Sequence, residues 1–179
     1  MIYMFLADGF EEVEAICPLD LMRRAGLTVK TVGIGKSEIV GAHGIKVIAD
    51  MTDADYSDNN AEMIFLPGGM PGTLNLANSP VVINAINKAV RDGSYIAAIC
   101  AAPSILGDMG LLNGKEAICY PGFEERLIGA KISESKVVRD GKIITAAGMG
   151  VAYDMGIAIV RILCGDKKAN DLYEATIHA

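Results

Sequence analysis

Short apolar runs alternate with amphipathic segments along most of this chain. The apolar runs have the length of buried strands and lie at Ile2–Leu6, 28–32, Met63–Leu66 and Tyr95–Ile99. The segments with apolar residues at helical spacing are Glu12–Arg24, 80–92, 101–109, 151–163 and 167–175. Strands that are apolar throughout are typical of a parallel sheet covered by helices on both faces. The pattern therefore predicts an α/β fold with a buried, mostly parallel sheet.

Local turn signals add detail to this prediction. Residues 39–40 and 46–48 flank the turn Gly41-Ala-His-Gly44, and residues 137–139 and 142–145 flank Asp140-Gly141, so two hairpins are expected. Pro18 lies inside the first helical segment, where it either starts the regular helix or bends it. Residues 117–119 are expected to form one more short strand.

The most informative segment for chemistry is Tyr95-Ile-Ala-Ala-Ile-Cys-Ala-Ala-Pro103. A buried strand there runs into a predicted helix, and Cys100 lies at the junction between small residues, as a tight nucleophile elbow requires. At such an elbow the free amides and the dipole of the following helix lower the pKa of a thiol. The segment predicts that Cys100 is a nucleophile. The alternative is a small, buried, unreactive cysteine.

Two further loops follow parallel strands and are expected at the same sheet edge. In Leu66-Pro-Gly-Gly-Met-Pro-Gly72, Gly68 and Gly69 allow close approach of backbone amides, and with Ala101 they are predicted oxyanion donors. An ordinary turn would also explain these glycines. In Asp8-Gly-Phe-Glu-Glu-Val-Glu14, a carboxyl directed at Cys100 would have a raised pKa and would donate a hydrogen bond to sulfur.

Composition narrows the function classes. The 179 residues suit a single domain spanning 1–179, and the net charge of −6 without a basic run argues against nucleic acid as a partner. Although 51% of residues are hydrophobic, no apolar run approaches the length of about 20 residues that a membrane span needs. The four cysteines form no CxxC pair and are expected to be free thiols in the cytoplasm. We expect no metal site, because His43 and His178 are far apart in the sequence.

Five segments together resemble the DJ-1/ThiJ/PfpI superfamily, and within it the DJ-1/YajL-like branch. They are ADGFEEVEA at 7–15, LDLMRRAGLTV at 19–29, FLPGGMPG at 65–72, IAAICAAP at 96–103 and TAAGMG at 145–150. AAICAAP with an upstream LPGG is much more specific than either motif alone. The resemblance implies a flavodoxin-like, three-layer α/β sandwich and a homodimer.

The resemblance also implies a reactive cysteine at Cys100 and places the glutamate of the family at Glu14. It implies activity without a cofactor on reactive dicarbonyls such as methylglyoxal, as a glyoxalase or as a protein or nucleotide deglycase, with a role in the stress response. A non-enzymatic redox sensor or chaperone that uses an oxidisable Cys100 stays open as the alternative.

Departures from the family pattern weigh against functions that depend on a histidine near the cysteine. Many relatives carry a His-Pro pair where this chain has Tyr120-Pro121, and a phenol with a pKa of about 10 is a poor base at neutral pH. Tyr120 remains able to hydrogen-bond a substrate oxygen. PfpI-type proteases have a histidine directly after the nucleophile, where this chain has Ala101. Class I amidotransferases use a late His-x-Glu, whereas His178 is followed only by Ala179. A cysteine peptidase or amidase is therefore less favoured.

Two more residues join Tyr120 as pocket candidates. His43 falls close to a family arginine position that lies across the dimer from the site, although a surface turn would also suit it. Cys17 is three residues after Glu14 on the same helical face, although it is equally suited to packing.

Overall fold

The protein is represented by a computed structural model that describes residues 1–57 and 60–177. Its strands are β1 (Ile2–Leu6), β2 (Val29–Gly33), β3 (Glu38–Val40), β4 (Lys46–Ile48), β5 (Met51–Thr52), β6 (Met63–Leu66), β7 (Tyr95–Ile99), β8 (Glu116–Ala117), β9 (Lys131–Ile132), β10 (Val137–Asp140) and β11 (Ile143–Ala146). Its α-helices are α1 (Glu12–Arg24), α2 (Gly72–Ala77), α3 (Pro80–Asp92), α4 (Pro103–Asp108), α5 (Ala152–Cys164) and α6 (Asp166–Ala175). Short 3₁₀ turns cover Glu124–Arg126 and Met149–Val151.

The central sheet confirms the predicted α/β class. In the described residues it has seven strands in the order β10-β11-β7-β6-β1-β2-β5. Every neighbouring pair is parallel except β10 and β11. The chain leaves β1 toward β2 and later returns to the other side of β1 as β6, so the winding direction reverses there. Ligand sites of open α/β sheets lie at the carboxyl ends of strands beside such a reversal.

Alternating side chains of β1 show the three layers. Ile2, Met4 and Leu6 are fully buried among residues of α1, α5 and α6. Tyr3 and Phe5 point to the other face and pack with residues of α3 and α4. Because both faces of the strand are covered, its sequence is continuously apolar. None of the helices in the described part of the chain is long and apolar enough to cross a membrane.

Helix α1 carries Glu14, one of the two predicted catalytic residues. Its N-cap is Glu11, whose carboxylate accepts a hydrogen bond from the Val13 amide over 3.3 Å. Pro18 lies in the middle of this helix and does not start it. A Cβ on Gly156 of α5 would lie 3.2 Å from the Pro18 Cα, so the absent side chain lets the two helices approach closely. This contact packs α1 against α5.

Several local expectations are confirmed and others are corrected. The two hairpins form as β3–β4 and β10–β11. The segment 101–109 is α-helical only over Pro103–Asp108, because proline suits the first helical turn and residues 101–102 complete the elbow. The strand predicted at 117–119 is shifted to Glu116–Ala117, which pairs with β9. Strand β5 and helix α2 were not predicted, since they are too short to show a hydrophobic period.

Candidate active site

Cys100 occupies a sharp turn directly after β7. It has φ of +64°, a left-handed conformation that non-glycine residues rarely adopt. The turn is braced on both sides, because the Cys100 amide donates to the Ala146 carbonyl over 2.9 Å and the Tyr120 amide donates to the Cys100 carbonyl over 2.8 Å. The side chain is half-buried. This geometry is that of a nucleophile elbow, with a strained residue held at the end of a central strand.

Glu14 faces Cys100 from the first turn of α1. Its side chain is buried, and its carboxyl accepts hydrogen bonds from the backbone amides of Gly68, over 3.0 Å, and Met149. The Cys100 thiol is hydrogen-bonded to the same carboxyl. A helix, the loop after β6 and the 3₁₀ turn after β11 therefore meet at one buried carboxyl next to the sulfur.

Burial governs the ionisation of this carboxyl. Desolvation raises the pKa of Glu14 to about 7, and the neighbouring Glu11 charge adds to the effect. The hydrogen bonds that Glu14 accepts act in the opposite direction, but they do not cancel the burial. At neutral pH, Glu14 is therefore partly protonated and partly ionised, which suits a group that transfers protons.

The pKa of the thiol is opposite to the sequence expectation. Burial, followed by the charge of Glu14, raises the pKa of Cys100 to about 12. The expected lowering relied on a helix that starts immediately after the cysteine. Helix α4 begins only at Pro103 and has six residues, so its dipole is weak beside the nearby carboxylate.

The two groups act as one titrating pair. Burial raises the pKa of both groups, and the charge of ionised Glu14 raises the pKa of Cys100 further, so after the first proton leaves, the pair carries one negative charge, held mainly on Glu14, and the thiol keeps its proton. When the charge is on sulfur, Glu14 holds the proton and donates it to the thiolate. When the charge is on Glu14, the carboxylate is a base in contact with the thiol.

The backbone donors divide into two roles. The amides of Gly69 and Ala101 are directed at the Cys100 sulfur. The Gly68 amide is occupied by Glu14, so the oxyanion role predicted for Gly68 does not agree with this arrangement. Gly69 has φ of +91°, and a Cβ there would lie 2.3 Å from the Glu11 nitrogen, so this position accepts only glycine.

Tyr120 borders the site on the side of β11. A Cβ on Gly148 would lie 3.2 Å from the Tyr120 ring and 3.9 Å from the Glu14 Oε1, so this glycine is close to both the ring and the carboxyl. Sequence reasoning did not single out Gly148 or Met149 as site residues. Their segment, TAAGMG, carried no titratable group, and the one signal available was its presence in the family pattern.

A family model that matches nearly the whole chain decides which family this protein belongs to. The model of the DJ-1/PfpI family matches residues 1–162. The chain belongs to the DJ-1/PfpI family. This agrees with the resemblance carried by the five sequence segments.

Three similar proteins place the chain within the DJ-1/PfpI family. Protein DJ-1 homolog B of Arabidopsis thaliana is 40% identical over 92% of this chain, which spans only 38% of that relative. Glutathione-independent glyoxalase DJR-1.2 of Caenorhabditis elegans is 31% identical over 90% of this chain and 87% of its own length. The structure of oxidised Toxoplasma gondii DJ-1 has a TM-score of 0.95 at 28% identity, covering 99% of this chain and 98% of that one. The chain spans about two fifths of the length of its Arabidopsis relatives.

The other two pocket candidates of this DJ-1/PfpI chain have their described contacts with residues other than Cys100. Cys17 lines an exposed apolar groove on α1, and burial together with Asp20 and Asp154 raises its pKa. His43 is exposed and its Nδ1 lies 2.9 Å from a carboxylate oxygen of Glu12. No histidine in the described part of the chain is hydrogen-bonded to Cys100, and His178 lies outside the described residues.

The Glu12–His43 contact brings together groups that the sequence separates widely. Glu11, Glu12 and His43 each offer one ligand atom, and these atoms lie within 4.8 Å of one another. The Glu12 carboxylate already accepts hydrogen bonds from the His43 amide and ring and from the Ile45 amide. Its role in the described structure is to tie the β3–β4 turn to the start of α1.

Proposed function

We propose that this DJ-1/PfpI protein is a cysteine-dependent enzyme that converts reactive dicarbonyls without a cofactor, as a glyoxalase or as a protein or nucleotide deglycase in the stress response. The observation that carries the proposal is the contact between the buried Glu14 carboxyl and the thiol of Cys100. A relative named glyoxalase, from Caenorhabditis elegans, supports it.

The first step forms a bond between sulfur and the aldehyde carbon. Glu14 in its carboxylate form takes the thiol proton as Cys100 attacks, and the aldehyde oxygen becomes an oxyanion. The amides of Ala101 and Gly69, which lie at the sulfur in the free protein, stabilise that oxyanion. Glu14 returns the proton to the oxygen, and a neutral hemithioacetal results.

The second step moves one hydrogen between the two carbons of the adduct and one proton between their oxygens. Glu14 removes the proton from the former aldehyde carbon, and an enediolate forms. The same carboxyl delivers that proton to the neighbouring carbon, and the hydroxyl proton of the first carbon passes to the oxygen of the second, which turns the hemithioacetal into a thioester of the 2-hydroxy acid. Water then cleaves the thioester and the thiol is restored. Methylglyoxal and one water become lactate with no external oxidant or reductant.

The direct test is lactate formation from methylglyoxal. Cys100→Ser is expected to lower kcat/KM at least about a thousandfold, because it removes the nucleophile. Glu14→Gln is expected to lower it about a hundredfold or more, because it removes the proton-transfer group. The matched control is Cys164→Ser at the far end of α5, which should retain activity. Full activity of both site variants would contradict the mechanism.

A separate measurement assigns the substrate form. A glycated peptide or nucleotide adduct is incubated with the protein while aminoguanidine traps any free dicarbonyl. A deglycase still releases 2-hydroxy acid from the adduct under these conditions, because it acts on the adduct itself. A glyoxalase produces acid only when the trap is omitted.

We also propose oxidation of Cys100 as a second function, as a redox sensor or chaperone. The half-buried sulfur has a carboxyl and two amides within hydrogen-bonding distance, and these groups suit a sulfinate, whose oxygens accept hydrogen bonds. An oxidised structure is known for the relative from Toxoplasma gondii. Two equivalents of peroxide convert thiolate to sulfinate and are reduced to water. A mass increase of about 32 Da confined to Cys100, without dicarbonyl turnover, would favour this function over the enzyme.

The exposed apolar face of α1 supports the further proposal of a homodimer. Val13, Ile16 and Ile45 are exposed and line the same groove as Cys17, and Ile48 is exposed on the adjoining β3–β4 hairpin. Light scattering should report twice the chain mass of 18.9 kDa. Ile16→Lys should dissociate the dimer, whereas Ile128→Lys, at an exposed isoleucine elsewhere, should not.

The unpaired cysteines support a reducing compartment, and we propose the cytoplasm.

A further inference from the structure

We propose that the site includes an apolar shelf that selects α-oxoaldehydes whose carbonyl carries an aromatic ring with a distal carboxylate. The residues that line the shelf include Tyr120, Pro121, Lys136, Gly148, Met149 and Val151. This inference rests on the proposed dicarbonyl activity, because it names the substrate class of the same site.

The shelf is directly next to the reacting groups. Met149 lines it, and its amide donates to the Glu14 carboxyl. Gly148 also lines it, and a Cβ at this position would lie 3.9 Å from the Glu14 Oε1. A dicarbonyl whose aldehyde carbon is bonded to Cys100 would therefore extend its second substituent past Gly148 onto the shelf.

The size of the shelf exceeds what methylglyoxal needs. Its cavity has a volume of about 370 Å³, within the range of small-molecule sites. A methyl substituent would leave most of that space to water. The Tyr120 ring lies against Gly148, where an added Cβ would approach it to 3.2 Å, so no side chain at position 148 covers that part of the ring.

The walls are apolar and unusually exposed. Tyr120 is 51% exposed and Met149 is 53% exposed, so neither side chain is used for packing of the core. An aromatic ring and a thioether are both favourable neighbours for an aromatic ligand. Burying these surfaces under a substrate ring would supply binding free energy that a small dicarbonyl cannot obtain.

Lys136 is the one charged residue among the described residues that line the shelf. Lys136 is exposed, and its ammonium forms no ion pair with any residue that the structure describes. The other shelf residues carry no charge. In a chain with a net charge of −6, this local positive charge favours an anionic substituent on the ring rather than a second cation or a neutral group.

The test compares three substrates: methylglyoxal, phenylglyoxal and 4-carboxyphenylglyoxal. The wild type should show the highest kcat/KM with 4-carboxyphenylglyoxal and the lowest with methylglyoxal. Tyr120→Ala should reduce the preference for phenylglyoxal over methylglyoxal about fivefold, as expected for one lost aromatic contact. Tyr120→Phe should retain that preference, because it keeps the ring and removes only the hydroxyl.

Lys136→Met isolates the contribution of the cation. It should reduce the preference for 4-carboxyphenylglyoxal over phenylglyoxal about threefold, mainly through KM, and the effect should fade at high salt. The matched control is Lys168→Met on α6, which should leave both preferences unchanged. Unchanged preferences in both Tyr120→Ala and Lys136→Met would overturn the shelf while leaving the dicarbonyl activity intact.

A binding measurement separates the two proposals if no dicarbonyl is turned over. In that case the proposed activity fails, and 4-acetylbenzoate, an aryl ketone that cannot undergo the reaction, serves as the probe in calorimetry. Binding that weakens in Tyr120→Ala and in Lys136→Met would support the shelf by itself. No binding to the wild type, or equal binding to all variants, would overturn it.

Discussion

The Gly68 amide donates a 3.0 Å hydrogen bond to the Glu14 carboxyl, and this contact requires that position 68 has no side chain. A Cβ on Gly68 would lie 2.6 Å from the Glu14 Oε2 and 2.7 Å from the Cys100 Cβ. The absence of a side chain at Gly68 therefore leaves the room in which the Glu14 carboxyl and Cys100 meet. The contact joins the loop after β6 to α1 and to the elbow.

Gly68→Ala should displace Glu14 from Cys100. We expect kcat/KM for methylglyoxal to fall at least about tenfold and stability to fall by about 1–3 kcal/mol, because the new methyl group has no room. Thermal unfolding and lactate assays measure the two effects. Gly150→Ala is the stability control, since a Cβ there meets nothing within 4 Å. An unchanged melting temperature in Gly68→Ala would contradict the packing argument.

The raised pKa of Glu14 predicts how activity and stability depend on pH. Activity should rise with the fraction of ionised Glu14, through a pKa of about 7, and this rise should be absent from the residual activity of Glu14→Gln. The folded state binds the Glu14 proton more tightly than the unfolded state, whose pKa is 4.5. Stability from this group is therefore lost as pH rises from about 4.5 to 7.

Glu14→Gln removes this loss. Relative to the wild type, it should be more stable at pH 8 than at pH 5, by up to about 3 kcal/mol. Denaturant unfolding at the two pH values measures the difference. The same relative stability at both pH values would show that the pKa of Glu14 is not raised.

The positive φ of Cys100 predicts that a glycine is favoured there by the backbone. Cys100→Gly should be more stable than Cys100→Ala by about 1 kcal/mol, because glycine adopts φ of +64° without steric cost. Both variants remove the sulfur, so the comparison isolates the backbone. A more stable Cys100→Ala would mean that the elbow is unstrained.

The ion pair of His43 and Glu12 predicts a pH window for the β3–β4 turn. The hydrogen bond and charge of Glu12 raise the pKa of His43. Burial acts to raise the pKa of Glu12, but hydrogen bonds from the His43 ring and amide hold it below 4.5. The contribution of His43 is complete below 6.5 and is lost as pH rises through its raised pKa. The contribution of Glu12 is complete above 4.5 and is lost as pH falls.

His43→Gln should therefore lower the melting temperature more at pH 5.5 than at pH 9. Differential scanning calorimetry of the wild type and the variant at both pH values tests this expectation. An equal loss at both values would show that the contact does not depend on a charged imidazole.

The amino-acid pattern determined the fold class and the position of the elbow that carries Cys100. The continuous apolar strands implied a sheet covered on both faces, and the small residues around Cys100 implied the elbow. These features follow from burial and local sterics, which act over a few neighbouring residues. Periodic signals were absent in the short elements β5 and α2, so those elements were not predictable in this way.

Tertiary structure decided which carboxyl meets the sulfur and how both groups ionise. Four acidic residues follow β1, and only the direction of the first turn of α1 buries Glu14 beside Cys100 while Glu12 reaches His43. The pKa of each group depends on its desolvation and on charges brought together from distant segments. Because these long-range effects do not show in the sequence, the expectation of a lowered thiol pKa was wrong. The shelf lined by Tyr120 and Gly148 could not be predicted for the same reason.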